Sequence, residues 1–256
     1  INYKFLKIKN KIKFENLNVN SKTSIYKIIN KYKPDKIFYF SGQSSLTKSI
    51  NKKKETFQSH FNGTKNFLDI LKEKNLKIKF FKANSGYIFS PNKGRIDLNC
   101  KFSSSNNPYI QAQMKTFKLL KNYRKYGLNL SNLVFMQVES PLRSNDFFIK
   151  KVCLSAKNKK KINVGNINTY RDYSWITDVV RAIVLSSKLK TKDFIISAGK
   201  KISGKEILAI AYKLNNLDYK KYISIDKNLF RKNEDKILIG SYKNSLFLRK
   251  KFNFKL

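Results

Sequence analysis

Two side chains in this chain have the chemistry of an acid–base pair. Ser85 follows the apolar run Ile78–Ala83, and Tyr109 sits in the first turn of a helix opened by Asn107-Pro108. A serine hydroxyl and a tyrosine phenol meeting at one crevice polarise a carbinol or carbonyl oxygen and relay its proton. Alone, each has a plainer reading: Ser85 caps a turn, and Tyr109 is a half-buried aromatic. Their setting raises the chemical reading. Three apolar runs end in polar turns: Ile37–Phe40 in Ser41-Gly42-Gln43-Ser44-Ser45, Ile78–Ala83 in Asn84-Ser85-Gly86-Tyr87, and Leu133–Val138 in Glu139-Ser140-Pro141. In an open α/β sheet, ligands bind beyond the carboxyl ends of the strands. Metal chemistry has no such basis. Cys100 and Cys153 are far apart and His60 is the one histidine, so neither a zinc site nor a disulfide framework is expected.

The elements that must position these residues alternate. Lys11–Glu15 reads as a strand. Ser21 caps a helix with Ile25, Ile28 and Ile29 on its apolar face, closed by Lys33-Pro34-Asp35. Ile37–Phe40 reads as a buried strand, Phe57–Leu76 as a helix, and Ile78–Ala83 as a strand. Asn107-Pro108 opens a helix to about Tyr126, with Gly127 at its end. Leu133–Val138 is a strand, Phe147–Lys157 a helix and Lys161–Val164 a short strand. Ile176–Ser187 is a helix and Asp193–Ser197 a strand. Ser203-Gly204-Lys205-Glu206 forms a capping box that leads a helix through Leu214. Tyr222–Ile225 and a helix near Tyr242–Lys251 finish the chain. Strand–helix alternation implies a parallel sheet covered on both faces. The expected fold is therefore α/β, with a first domain over 1–160 and a smaller mixed lobe over 161–256. Asp178–Ser197 would return to the first sheet.

Composition bounds the function. The chain has 256 residues, 41% of them hydrophobic and 14% aromatic, enough to build a core and exclude wholesale disorder. No run reaches the roughly 18 apolar residues of a membrane helix, and the start lacks a signal-peptide pattern. A reducing cytoplasm is the expected setting. The net charge of +39 suggests polyanions, yet only 7 of the 55 basic residues are Arg and the Lys residues are spread end to end. Lys, Asn, Ile, Phe and Tyr share A/T-rich codons. Base composition therefore accounts for the charge better than specific nucleic-acid binding does.

The ordered set of short segments resembles the extended short-chain dehydrogenase/reductases, and most closely the GDP-mannose 4,6-dehydratase family. The matching pieces are Lys33-Pro34-Asp35-Lys36-Ile37-Phe38 with Gln43-Ser44, then Gly63-Thr64 with Phe67-Leu68-Asp69-Ile70-Leu71, then Pro108-Tyr109. They continue with Glu139-Ser140-Pro141-Leu142-Arg143, the Gly-Asn-x-x-x-x-Arg-Asp run from Gly165 to Asp172 with Tyr173, and Asp178-Val179-Val180. Phe230-Arg231 with Glu234, then Leu238-Ile239-Gly240, close the set. The resemblance implies a Rossmann-like doubly wound sheet and a lyase that dehydrates a nucleotide-diphosphate sugar. In the family, NADP acts as an internal hydride shuttle: C4 is oxidised, water leaves across C5–C6, and the hydride returns to C6. Carried over by position, Ser85 and Tyr109 are catalytic. Asn18, Ser41, Gly42, Gln43, Ala83, Tyr109, Gln113 and Val138 fall at cofactor positions. Gln137, Glu139, Arg143, Lys151, Gly165, Arg171, Arg231 and Glu234 fall at substrate positions. Arg171 and Arg231 suit a pyrophosphate by guanidinium geometry; for Arg171 an ion pair with Asp172 or Asp178 is the competing reading. The family commonly forms homo-oligomers.

Three departures qualify the resemblance. The lysine one helical turn after the family's tyrosine is Gln113, which cannot lower a phenol pKa by charge. The family's glutamate, two residues after its Thr/Ser, is Tyr87, a residue found there in deoxysugar reductases. Lys115 lies off the Tyr109 face of the helix. The nine glycines are scattered, so the Gly-rich turn that cradles a pyrophosphate, with the first βαβ unit that carries it, is expected to be missing. Binding of NADP or NAD should then be weak. The expectation is a dehydratase-like protein with a degenerate catalytic set. The alternatives are a nucleotide-sugar epimerase or reductase, and a non-catalytic homologue that binds a sugar nucleotide or a partner.

Overall fold

The computed structural model describes residues 6–231 and 234–241. The helix expected near Tyr242–Lys251 lies outside them. The chain forms two compact units that interleave in sequence: residues 1–84 with 104–132, and 85–103 with 133–256.

In the first unit, helix α1 (Lys22–Tyr32) starts where the Ser21 hydroxyl accepts the Ser24 N–H, and it buries Ile25 and Ile29. Strand β1 (Lys36–Tyr39) follows. Helix α2 (Leu46–Asn51) is capped by Ser45, and α3 (Lys53–Phe57) leads through a π-helical turn (Gln58–Asn62) into α4 (Gly63–Glu73). The helix expected from Phe57 thus begins earlier and is broken by a π turn. Strand β2 (Lys79–Ser85) pairs parallel with β1, Ile37 opposite Phe80. Helix α5 (Pro108–Tyr123) is capped by the Asn107 side chain, with Pro108 in its first turn. Strand β4 (Leu130–Phe135) carries the chain into the second unit. The core holds Ile25, Tyr39, Leu68, Leu71, Phe80, Leu120 and Leu130.

Two expectations fail here. Lys11–Glu15 is not a strand; a 3₁₀ turn at Lys9–Lys11 is followed by exposed, irregular chain. Ile12 and Phe14 alternate as a strand would, but no described strand pairs with them, and an unpaired strand has no ladder to hold it. Strand β1 is also less buried than its sequence implies. Only Tyr39 is buried, while Phe38 is 37% and Phe40 51% exposed. Among the described residues β1 is an edge strand, with β2 as its one neighbour.

In the second unit, β3 (Arg95–Ile96), β7 (Tyr170–Arg171), β10 (Ile202–Ser203) and β12 (Ile237–Gly240) form a mixed sheet in the order β10-β7-β12-β3. The expected single strand Leu133–Val138 is two strands, β4 and β5 (Gln137–Glu139); β5 pairs parallel with β8 (Tyr173–Trp175). The end of β4 pairs parallel with β9 (Phe194–Ile196), which completes the sheet order β1-β2-β4-β9. β6 (Ile162–Val164) pairs with β11 (Ile223–Ile225). Helix α6 (Phe148–Asn158) and helix α8 (Gly204–Lys213) pack through Val152, Ala156, Ile207, Leu208, Ala211 and Tyr212. The capping box of Ser203 and Glu206 is fully formed. Helix α7 spans Ile176–Ser187. No helix of the described residues is long and apolar enough to cross a membrane.

Candidate functional site

The second unit gathers guanidinium, carboxylate and phenol groups around Tyr87. The Tyr87 oxygen accepts from Arg231 Nη1 at 3.0 Å and from Gln137 Nε2 at 3.2 Å. Two N–H donors occupy its lone pairs, so the phenol is left with donation of its own hydrogen. Arg171 is buried; its Nη2 donates to Glu234 Oε1 at 2.6 Å and its Nη1 to the carbonyls of Tyr170 and Asp235. Glu234 Oε1 also lies 3.5 Å from Arg231 Nη1. One carboxylate, Glu234, therefore serves two guanidiniums, with the Asp235 carboxyl within electrostatic reach of Arg171. The ion pair of Arg171 is with Glu234, not with Asp172 or Asp178. Asp178 lies 3.8 Å from Arg181, and the Asp172 carboxylate accepts the backbone N–H groups of Ala198, Gly199 and Gly240.

Strand β5 adds a second pair. Its period-two alternation puts Gln137 and Glu139 on one face and Val138 on the other. Glu139 is buried, which pushes its carboxyl up, against the pull of Arg143. The Arg143 guanidinium lies 3.6 Å from the Phe147 ring, and its buried Nε has no partner among the described residues. A buried donor without an acceptor is uncommon in a folded protein. Tyr173, on β8, lies within electrostatic reach of Tyr87, Glu139, Arg171 and Arg231, and burial raises its phenol pKa. In the sequence Tyr173 carries part of the resemblance but no role; its place beside the Arg171-Asp172 pair was the available signal. Gly165 faces Leu229, whose carbonyl oxygen would lie 2.9 Å from an added Cβ, so it lets the segment carrying Arg231 approach closely. Lys151 is not hydrogen-bonded to the cluster; its Nζ donates to the Asn163 carbonyl at 2.8 Å. Ser85 accepts the Tyr87 N–H at 3.3 Å, capping the turn Gly86–Ile88.

The first unit holds the positions expected near a cofactor. Tyr109 is set by Asn107, whose Oδ1 accepts the Tyr109 N–H at 3.0 Å and whose Nδ2 donates to the Leu46 carbonyl. Gln113, one turn on, is 3% exposed, and its Oε1 has no partner among the described residues. Gly42 has φ +138°, and a Cβ there would lie 2.2 Å from His60 Cε1. His60 is buried; its Nε2 is 2.7 Å from the Gln43 carbonyl, and its ring meets Tyr109 edge-on with centroids 5.5 Å apart. The Gln43 side chain closes on Ser45. Ala83 is partly exposed on β2, and Ser41 is exposed. Asn18 is exposed, its Oδ1 accepting the Asn20 N–H, so its side chain closes a local turn. His60 and Lys82 escaped sequence reasoning. The only available signal for His60 was that it is the single histidine; for Lys82, a lysine inside an apolar strand.

The orphaned Gln113 carboxamide and the tight Gly42 turn fit the ribose and nicotinamide end of a dinucleotide. The scattered glycines offer no cradle for its pyrophosphate. Among the described residues, no group of three or more His, Cys, Asp and Glu could hold a metal ion.

The chain is 25% identical over 223 residues to GDP-mannose 4,6 dehydratase 1 of Arabidopsis thaliana, covering 83% of this chain and 62% of that protein. It is 26% identical over 206 residues to the Drosophila melanogaster GDP-mannose 4,6 dehydratase, covering 75% and 51%. The chain thus spans roughly half to three-fifths of the length of these relatives. Among solved structures, the fold matches dTDP-glucose 4,6-dehydratase from Bacillus anthracis in complex with NAD, with a TM-score of 0.82, 17% identity and coverage of 97% of this chain and 76% of that one. It also matches UDP-glucose 4-epimerase from Thermus thermophilus in complex with NAD, with a TM-score of 0.80, 15% identity and coverage of 94% and 79%. These neighbours share a Rossmann-like α/β fold with this chain. The model of the GDP-mannose 4,6 dehydratase family matches residues 2–254, and the chain belongs to that family.

Proposed function

We propose that this protein binds a nucleotide-diphosphate sugar, with GDP-mannose as the first candidate, and that its chemistry is that of a dehydratase with an altered acid–base set. The observation that carries this reading is the cluster of Tyr87, Arg171, Arg231 and Glu234. Arg171 is buried and holds Glu234 in place. Arg231 is half-exposed, so part of its fork is open to a phosphate. Arg143, with its orphaned Nε, is a second anionic contact. Tyr87 donates one hydrogen bond to a sugar or phosphoryl oxygen.

Ser85 and Tyr109 keep, by family position, the hydroxyl and phenol that handle the proton of the sugar's C4 hydroxyl. A nicotinamide dinucleotide supplies reversible hydride acceptance when bound, and Gln113, Gly42 and Gln43 are the residues that would hold its ribose and nicotinamide end. Tyr87 has no carboxylate, and Arg231 and Gln137 fill its lone pairs. It cannot accept the proton whose removal begins elimination across C5–C6. Retained oxidation and reduction at C4 with lost elimination is the chemistry of an epimerase or reductase, which makes that the second reading. Calorimetric titration with GDP-mannose, GDP and mannose 1-phosphate tests binding. Affinity for both diphosphates and none for the monophosphate is expected; no binding of any of them removes the reading. Incubation with NADP and GDP-mannose, followed by mass analysis for loss of water, tests the elimination.

A further inference from the structure

The face of β2 turned toward α4 and α5 carries a polar cluster that no step above uses. Phe80, Lys82 and Asn84 alternate onto that face. Phe80 packs in the core against Tyr39 and Phe67. Lys82 is 1% exposed, and its Nζ lies 5.3 Å from the Tyr39 ring. That ammonium has three N–H groups, and its hydrogen bond is to the Ala83 carbonyl at 2.5 Å. Asn84 Nδ2 donates to Asn132 Oδ1 at 2.7 Å, and Asn132 Nδ2 donates to the Phe117 carbonyl on α5. Gln113 lies on the same face of α5, one turn before Phe117 and one turn after Tyr109.

Three acceptors in this cluster are buried without partners: Gln113 Oε1, Asn84 Oδ1 and His60 Nδ1. His60 Nδ1 counts as an acceptor because Nε2 must donate to the Gln43 carbonyl. The cluster thus has a cation with donors to spare and acceptors with none. The two sets are electrostatically joined. The His60 pKa is held down to about 4 by burial first and by Lys82 second. His60 in turn meets the Tyr109 ring.

We propose that Lys82 is the cation of the Tyr109 crevice, its ammonium held by the Gln113 carbonyl so that Lys82 and Gln113 together supply the charge that a lysine at 113 would supply alone. Lys82 is then a positioning residue: it acts on Tyr109 through Gln113 and His60. The proposed contact requires Nζ to leave the Ala83 carbonyl, its partner in this structure, for the unpartnered Gln113 carbonyl, directly or through one water. The Gln113 amino group is left to donate outward along α5. An ammonium nearby favours the phenolate of Tyr109. The catalytic meaning rests on the dehydratase-like reading, but the electrostatic coupling does not.

The test exchanges the two positions. Lys82→Gln, Gln113→Lys and the double variant are compared with wild type by thermal midpoint and by titration of the Tyr109 ¹³Cζ resonance, identified with Tyr109→Phe. K82Q should abolish the step that the wild-type Tyr109 and His60 resonances show where Lys82 titrates, and the double variant should restore one. Q113K should be destabilised beside Lys82, and K82Q should relieve that loss. In wild type alone, the Tyr109 and His60 resonances should both show a step at the pH where the Lys82 ¹⁵Nζ signal titrates; burial lowers that pKa to about 7. A step that survives K82Q, strictly additive stabilities, or no shared step in the wild type overturns the proposal. The wild-type measurement decides the matter if Q113K does not fold. Coupling without GDP-mannose binding would retire the functional reading and leave this one standing; binding without coupling would do the reverse.

Discussion

At the scale of the residue, the proposed chemistry turns on Tyr87. Its oxygen accepts two hydrogen bonds, one from a guanidinium, so Tyr87→Phe removes a charge-assisted contact and frees Arg231. A bond of that kind contributes about 1.5–3 kcal/mol. The expected result is a thermal midpoint lower by a few degrees, because the lost bond is internal to the fold, together with weaker binding of GDP-mannose through the lost Tyr87 donor, read by melting and calorimetry. Tyr87→Glu is different, because a carboxylate at 87 would pair with Arg231 and provide the missing base. By itself it should not restore loss of water from GDP-mannose. The crevice charge is also rearranged, and adding Q113K beside Lys82 would place two ammonium groups together. The triple variant Y87E/K82Q/Q113K is the one expected to eliminate water, detected as an 18 Da loss. No turnover from it, with binding intact, would mean that more than these positions has changed.

At the scale of the element, Asp172 shows how a turn holds three strands. It links β7 to β8 and accepts backbone amides before β10 and at the end of β12. Burial outweighs those amides and raises its pKa to about 6 from 3.8. The folded state then binds the proton more tightly than the unfolded state, so this group's contribution to stability is greatest below about pH 4 and falls as pH rises to 6. A rise of that size corresponds to about 3 kcal/mol as an upper bound. Urea midpoints of wild type minus Asp172→Asn, measured from pH 4 to 7, should decline and then level off. A flat difference would place the pKa near its ordinary value. Gly42→Ala should cost more than about 1 kcal/mol, because alanine resists its φ and the methyl would meet the His60 ring; the single-histidine NMR signal should shift with it. The helices with strong local signals were legible in the sequence: Ser21, Asn107 and Ser203 cap where their spacing says. The two-residue strands β3, β7 and β10 were not, because such short pairings come from partners distant in sequence. The strand expected at Lys11–Glu15 failed for the same reason, since alternation without a neighbour makes no ladder. The Arg171–Glu234 pair was likewise hidden, its members lying far apart in the chain.

At the scale of the whole molecule, the net charge of +39 must be reconciled with a site proposed to bind a small dianion. Only a minority of the lysine charge is engaged locally. Lys22 and Lys65 flank Asp69, Lys31 pairs with Glu15, and Lys72 lies 3.6 Å from the Tyr126 ring. Surface pairs of this kind contribute little to stability but leave a broad positive field. Such a field raises the association rate of an anionic ligand without choosing its identity, and it is screened beyond about 8 Å at physiological salt. Two consequences can be separated by ionic strength. Association of GDP-mannose should slow as salt rises, while its dissociation rate stays nearly constant, because the Arg231 contacts are short-ranged. Binding to duplex DNA, single-stranded DNA and heparin should be equally weak at a given charge density, with log K falling linearly in log salt. Stopped-flow kinetics and salt-titrated polarisation read the two effects. A DNA sequence bound selectively at high salt would show that the lysines form a recognition surface, and the sugar-nucleotide reading would no longer account for the charge.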